Sequence, residues 1–262
     1  MERVLVRCAG VIGSAVAHYL FTASYAVILH EEIQPIATRR GMAYTDAVFD
    51  GVAELEGVAA RRVDDLATVN DVLTSHEVIP LSIAEVSRVL ATCRPAVLVD
   101  ARMRKRAHPE TQRGLAPLTI GLGPNFIADV NVDIAIETSW EALGRVILEG
   151  PTLPLAGEPR AIGGHSRDRY IYAPVAGVFH TRRTIGECVE AGEVVAIIAG
   201  TPLLAPLRGV LRGLTRDGMP VAHKTKVIEV DPRADANVRG IAERPRRIAE
   251  GVLGAVQLGR VS

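Results

Sequence analysis

The chain has 262 residues, and its 30 basic side chains balance its 30 acidic ones. Apolar residues make up 48% and charged residues 23%, which is enough apolar surface to bury a core and excludes wholesale disorder. The zero net charge and the 4% of aromatic residues argue against a nucleic-acid partner and against attraction to an anionic membrane. Three widely spaced cysteines without a C-x-x-C pair exclude a disulfide framework and a cysteine-rich zinc site, and they favour a cytoplasmic protein.

An apolar stretch over residues 8–29 contains no Asp, Glu, Lys or Arg. It allows two structures: a membrane helix or signal anchor, or a strand, turn, helix and strand buried in an α/β core. Gly10 and Gly13 near its start favour the second, without a membrane span. We therefore predict a strand over 3–7, a helix over 14–23 and a strand over 25–29.

The rest of the first 155 residues continues this alternation. Strands are predicted at 78–81, 96–99, 117–122 and 134–137, with helical stretches such as 83–91 between them. Alternating strands and helices predict a Rossmann-like α/β domain with a mostly parallel sheet over residues 1–155.

Residues 156–262 have a different texture, with short Val- and Ile-rich runs broken by Gly and Pro. An A-P-x-x-G-V unit occurs at 173–179 and again at 205–211, and residues 186–195 follow a G-x-x-V-x-x-G-x-x-V rhythm. This rhythm is typical of barrel-sandwich hybrids, so we predict a β-rich, biotinyl- or lipoyl-like domain over 156–262 with a C-terminal helix at 249–258. The turn at 199–202 has no lysine, which excludes a swinging biotin or lipoyl arm there.

The first predicted turn is similar to the dinucleotide-binding G-x-G-x-x-G, with Cys8 in the place of the first glycine. Gly10 would let the backbone approach a pyrophosphate, and Gly13 would let the helix lie close to the strand. The N–H groups at the start of the helix would hold the phosphates. Glu31 and Glu32 follow Gly10 by about 20 residues, where an acid takes a ribose hydroxyl. The alternative is a glycine turn that only packs the helix on the sheet.

Three further candidate groups lie at the carboxyl ends of predicted strands, where ligands of such sheets bind. Asp100 is followed by four cations, including Lys105, which would pair with a phosphate or carboxylate. Gly121 and Gly123 form a loop that brings backbone close to a ligand, and Glu137 would bind or act as a base. The alternatives are a solvated basic face, a tight turn and a helix cap.

Sequence motifs of several common enzyme classes are absent from the chain. The motifs of P-loop NTPases, HExxH zinc enzymes and α/β-hydrolases are absent. No metal ligands and no catalytic residues are therefore assigned, and whether the protein is an enzyme stays open. His165 is expected to be a loop histidine, and the charges over 224–235 are expected to pair with one another.

Taken together, these residues resemble the accessory proteins of selenium-dependent molybdenum hydroxylases, which are related to xanthine dehydrogenase accessory factors. The segments that carry the resemblance are the turn at 7–10 and residues 31–40, 43–51, 97–106, 116–126, 136–138, 143–150, 173–179, 211–218 and 226–233. The chain departs from the family pattern at Cys8, where the family has glycine, after Thr138, where an Arg-Gly-His stretch is missing, and at His165, where an aromatic residue is usual.

The resemblance implies a factor that assembles or activates a molybdenum hydroxylase, with a hydroxylase subunit as its partner. The expected ligand is a nucleotide-bearing cofactor in the α/β crevice, either a molybdopterin dinucleotide or NAD(P). Two alternatives remain: an NAD(P)-dependent oxidoreductase and a scaffold that binds only protein. Whether the chain forms a homo-oligomer is left open.

Overall fold

The computed structural model describes residues 1–104, 108–154 and 159–259. These residues divide into two units, each formed by more than one stretch of the chain. The first unit contains residues 1–33, 43–154 and 241–259, and the second contains residues 34–42 and 159–240.

The first unit contains eleven strands and five helices among its described residues. The strands are β1 Arg3–Arg7, β2 Ala26–His30, β3 Val52–Leu55, β4 Val58–Arg62, β5 Ile79–Ser82, β6 Val97–Asp100, β7 Leu118–Leu122, β8 Ile127–Ala128, β9 Ile134–Ile136, β10 Val146–Ile147 and β11 Gly150–Pro151. The helices are α1 Val11–Thr22, α2 Ala47–Asp50, α3 Val69–Ser75, α4 Val86–Cys93 and α5 Glu243–Leu258.

Nine of these strands form one mixed sheet in the order β10-β9-β7-β6-β1-β2-β5-β4-β3. The seven strands from β9 to β4 are parallel to their neighbours, whereas β10 and β3 pair antiparallel at the edges. On one side of β1 the sheet continues with β2, β5, β4 and β3. The chain then crosses to the other side of β1, where β6 is the neighbouring strand. This switch point places the carboxyl ends of β1 and β6 side by side, where the sheet opens into a crevice.

Both faces of the sheet are buried, and alternate residues of β1 enter different cores. Val4 and Val6 pack into a cluster with α1 and α5, whereas Leu5 packs into a cluster with α3 and α4. Helices on both faces explain why the parallel strands are apolar throughout.

Helix α1 is buried on almost every side, from Ile12 to Leu20. It lies under α5, whose Ile248 and Val252 are fully buried in the same cluster. A helix that is covered all round is apolar all round, which explains the missing charges over residues 8–29. Among the described residues, no helix is long and apolar enough to cross a membrane.

The second unit contains eight strands among its described residues, arranged in two four-stranded sheets. The strands are β12 Tyr170–Tyr172, β13 Gly177–His180, β14 Cys188–Val189, β15 Val194–Ile198, β16 Thr201–Leu204, β17 Gly209–Leu214, β18 Met219–Val221 and β19 Lys226–Asp231. The sheet orders are β12-β19-β17-β14 and β16-β15-β13-β18, and every pairing is antiparallel. The two copies of the A-P-x-x-G-V unit lead into β13 and β17, so Phe179 and Leu211 occupy equivalent positions in one apolar core.

The predicted fold class is corrected here. The chain is a mixed α/β protein with a large mixed sheet, and the assignment of its second part to a biotinyl- or lipoyl-like barrel-sandwich hybrid is wrong. The β-rich unit is not the continuous piece 156–262 that was predicted, because residues 34–42 belong to it and α5 does not. Thr38 accepts the N–H of Leu214 at 2.8 Å, which ties the distant segment to β17.

Candidate functional site

The turn after β1 is built around one close approach of backbone, between Gly13 and Cys8. A Cβ on Gly13 would lie 1.9 Å from the carbonyl oxygen of Cys8, so only glycine lets α1 begin this close to the strand. Gly10 precedes α1 in extended conformation, and no side chain caps the helix. Cys8 itself has a φ of +91°, a region that suits glycine and strains other residues.

Glu31 lies directly against this turn, at the end of β2. Its buried carboxylate accepts the N–H of Ala9 at 2.7 Å and the N–H of Glu32 at 2.9 Å. Burial raises the pKa of Glu31, although these backbone donors oppose the shift. The side chain of Glu32 is exposed. Of the two predicted acids, Glu31 is therefore the one that the fold brings to the turn.

The turn is only partly free to receive an anion. Glu31 occupies the N–H of Ala9, and the N–H of Gly10 faces the Sγ of Cys8 at 3.3 Å. The remaining donors are the N–H groups in the first turn of α1, which have no partner within the helix. Gly10 and Val11 are partly exposed there, so one end of this helix is accessible to solvent.

The surroundings of Cys8 disfavour ionisation of its thiol. Burial, followed by the nearby carboxylate of Glu31, raises the pKa of Cys8 well above its usual range. The raised pKa favours the protonated thiol, which is a weaker nucleophile than the thiolate.

Asp100 ends β6 at the crevice, but the neighbouring arginines neutralise it. The Nε of Arg102 donates to Asp100 at 2.9 Å, and a second guanidinium nitrogen, Nη2, contacts the same carboxylate. Glu110 accepts from Arg102 at 2.8 Å and from Arg104 at 2.9 Å. Lys105, the predicted phosphate ligand, lies outside the described residues. The predicted cations thus pair first with the protein's own acids.

Sequence reasoning missed part of this network. Arg7, at the end of β1, is buried and donates to Gln112 at 2.7 Å, with Asp100 3.9 Å away. The Nε of Arg7 is buried and has no hydrogen-bond partner among the residues that the structure describes. The available signal was a charged residue closing an otherwise apolar strand, because such a residue must find a partner at the sheet edge.

The predicted glycine loop after β7 is filled by the protein's own side chains. A Cβ on Gly121 would lie 2.3 Å from the ring of Phe126, and one on Gly123 would lie 2.9 Å from Thr152. These glycines therefore admit Phe126 and Thr152, and their absent side chains leave no space for a ligand.

Glu137 binds backbone N–H groups of the protein itself. Its carboxylate accepts the N–H groups of Thr138 and Ser139 at 2.6 Å and that of Leu153 at 2.7 Å, and the residue is 1% exposed. It joins the loop after β9 to the chain beyond β11. A carboxylate occupied by three donors has little capacity left to bind a ligand or to act as a base.

The crevice itself is narrow. A cleft lined by Asp100, Arg104, Pro109, Pro124 and Phe126 has no room for a water-sized sphere. The switch point therefore brings together the turn at Cys8–Gly10, Glu31 and Asp100 at the ends of β1, β2 and β6. The glycine loop and Glu137 follow β7 and β9, farther along the sheet edge.

Comparison with known proteins finds a relative that aligns with nearly the whole of this chain. The chain is 36% identical over 261 residues to the uncharacterized protein YqeB of Escherichia coli strain K12, a match that covers 98% of this chain and 48% of YqeB. The chain thus spans about half the length of the curated relative it matches. No family model matches the chain.

Two solved structures show a weak likeness. One is a succinylglutamate desuccinylase/aspartoacylase from Rhodobacter sphaeroides, with 14% identity, and the other is an aspartoacylase family protein from Mesorhizobium loti, with 12% identity. Each covers 89% of this chain and 86% of the other, with a TM-score of 0.26.

Proposed function

We propose that this chain binds a phosphate-bearing dinucleotide at the start of α1 and acts as a maturation factor for a molybdenum hydroxylase. One observation carries the binding proposal: α1 begins without a side-chain cap at the switch point, with Glu31 beside it. An uncapped helix start favours a phosphate, and an acid at the end of the adjacent strand suits a ribose diol.

The positions of α1 and Arg102 define how a phosphate group would bind at this site. The phosphate is met by the first N–H groups of α1, on the partly exposed side of Gly10 and Val11. Arg102 lies at the neighbouring strand end and exchanges its exposed partner Glu110 for phosphate while it keeps the buried Asp100, because a guanidinium binds carboxylate and phosphate in the same forked geometry. The narrow cleft at Asp100 must widen for the rest of the ligand to enter.

The hydroxylase partner and the molybdopterin dinucleotide come from the sequence resemblance, and NAD(P) is the competing ligand. Binding is tested by calorimetric titration of the full chain with molybdopterin cytosine dinucleotide and with NAD. We expect saturable binding of the first, which Gly10→Asp abolishes because the new carboxylate caps α1 and occupies the phosphate position.

Gly10→Ala is the matched control, because it adds only a Cβ that lies 3.2 Å from the Sγ of Cys8 and no charge. It should retain binding. Failure of both dinucleotides to bind the wild type would remove the proposal.

The alternative function is an NAD(P)-dependent oxidoreductase, and Glu31 favours it, since a carboxylate at this place selects the unphosphorylated ribose of NAD. It requires that reduced nicotinamide fluorescence change on mixing and that Glu31→Gln weaken NAD binding. Binding of NAD alone, without molybdopterin dinucleotide, would favour this alternative. A scaffold that binds only protein would bind neither ligand.

A further inference from the structure

The second unit contains a cluster of buried charges that the proposed function does not use. Glu229 on β19 is fully buried, and three cations surround its carboxylate. Arg39 donates to it at 2.6 and 2.9 Å, Arg169 at 2.5 Å and Lys226 at 3.0 Å. Tyr170 lies between two of these cations, with Arg169 and Lys226 4.3 and 4.4 Å from its ring centre.

A second carboxylate lies on the same strand. Asp231 is fully buried and accepts from Arg233 at 2.8 and 3.0 Å, while Arg212 lies 3.5 Å away. Arg212 is 7% exposed and lies within electrostatic range of Arg39. The two carboxylates of β19 thus belong to one continuous network.

Positive charge exceeds negative charge in this network. The described residues that form it comprise five cations, namely Arg39, Arg169, Arg212, Lys226 and the half-exposed Arg233, and three carboxylates, namely the buried Glu229 and Asp231 and the exposed Asp235 beside Arg233. Burial of unpaired charge is costly, and an excess of like charges near one another adds repulsion. An anion of two or more charges would remove most of the excess.

The network also has donors that no group of the described protein uses. The Nε atoms of Arg169 and Arg212 are buried and have no hydrogen-bond partner, although the two residues are only 2% and 7% exposed. Burial, then the neighbouring Arg39, lowers the pKa of Arg212, and burial lowers that of Lys226. Burial is the main cause of both shifts, Arg39 adds to each of them, and Glu229 opposes them.

One side of the network is open to solvent. The side chains of Arg39 and Lys226 are 24% and 31% exposed, whereas that of Arg169 is 2% exposed. Tyr172, which is 38% exposed, stands edge-on to Tyr170 at 6.4 Å. An anion can therefore approach along Lys226 and Arg39, beside the tyrosines, while the guanidinium groups of Arg169 and Arg212 add positive potential from below.

From the excess charge, the unused donors and the open side together, we infer that this cluster is a second anion site, which binds a multiply charged oxyanion of the phosphate type. Lys226 and Arg39 contact the oxyanion, and Arg169 and Arg212 supply the buried positive field. All of the residues of this site belong to the second unit, whereas the start of α1 belongs to the first.

The test uses the full chain carrying Gly10→Asp, so that the start of α1 cannot contribute. Inorganic phosphate and pyrophosphate are titrated calorimetrically at constant ionic strength, with a nucleoside diphosphate and succinate as separate arms. We expect saturable binding of phosphate and tighter binding of pyrophosphate. Lys226→Gln should weaken both by about tenfold or more, since it removes one charged donor.

Lys224→Gln is the matched control, because Lys224 is exposed in the loop that leads into β19 and its replacement makes the same change of charge. It should bind like the parent. Tighter binding of the nucleoside diphosphate than of pyrophosphate identifies a phosphate ester as the ligand, and the reverse identifies free pyrophosphate. Preference for succinate, equal binding by Lys226→Gln and its parent, or no saturable binding at all would overturn the inference, whatever the dinucleotide titrations show.

Discussion

At the scale of single residues, Gly13 is the residue on which the first turn depends most. A Cβ there would lie 1.9 Å from the carbonyl oxygen of Cys8, and this backbone group cannot move aside cheaply. We expect Gly13→Ala to lower the free energy of unfolding by roughly 3 kcal/mol, as measured by urea denaturation.

Gly254→Ala is the control for this prediction. Gly254 lies in α5 and a Cβ there meets no atom within 4 Å, so the alanine should be neutral or stabilise by up to about 1 kcal/mol. Similar losses in both variants would show that the approach of α1 to β1 is not what requires glycine.

Glu110 sets a pH dependence at the crevice. Its hydrogen bond with Arg102 lowers the pKa of Glu110 to about 2, although half of its side chain is exposed. Because the folded-state pKa is lowered, the carboxylate stabilises the fold above its unfolded pKa, near 4.3, and this stability is lost as the pH falls toward 2.

We therefore expect Glu110→Gln to cost under about 1 kcal/mol at pH 7, since solvent screens an exposed pair. Urea unfolding at a series of pH values should show this difference shrink to nothing between pH 4.3 and 2. A difference that stays constant over that window would mean that the charge of Glu110 contributes nothing.

At the scale of elements, α5 is part of the α/β unit rather than of the β-rich unit that precedes it. Ile248 is fully buried in the cluster that also contains α1 and the sheet. We expect Ile248→Ala to cost about 2–5 kcal/mol, with faster hydrogen exchange in α1. Gln257→Ala, on the exposed side of α5, should leave exchange unchanged. Faster exchange confined to β12–β19 would contradict this placement of α5.

At the scale of the whole molecule, the segment 34–42 determines how the chain is divided. It connects β2 to α2 in sequence, yet Arg39 binds the buried Glu229 with two hydrogen bonds. Burial alone would raise the pKa of Glu229, but Arg39 and Lys226 lower it, so the carboxylate is charged and needs its cations.

Arg39→Gln in the full chain should therefore destabilise the second unit by about 2 kcal/mol or more. Hydrogen exchange should show loss of protection in β17 and β19, with β1 and β7 unaffected. Arg61→Gln, at an exposed position of β4, removes the same charge without this contact and is expected to change nothing. Loss of protection spread evenly over both units would mean that they unfold as one.

Local pattern by itself determined most elements of the first unit. The strand over 3–7 is confirmed with the same bounds, and those over 25–29, 78–81, 96–99 and 117–122 are shifted by one residue or less at each end. These predictions succeed because strand and helix periods depend on near neighbours in the chain. The C-terminal helix begins at Glu243 instead of at residue 249, since its first turns are polar and carry no apolar period.

The sequence also placed Gly13 at the closest approach of the first turn, and Glu31 at the end of β2. Only the tertiary structure decided what these groups do. Glu31 occupies an amide that was expected to face a ligand, Phe126 fills the space at Gly121, and Glu137 is bound by three N–H groups. A sequence pattern gives the position of a polar or small residue in the chain, but it does not show which distant side chain contacts that residue in the fold.

The same reason explains the division of the chain and the charge cluster. Arg39 and Glu229 are 190 positions apart and show no common signal in the sequence. The two residues meet only because the tertiary fold brings the segment 34–42 against β19. Hydrophobic periodicity thus determined the elements of this protein, whereas long-range partner choice, governed by desolvation and charge, determined its units and its sites.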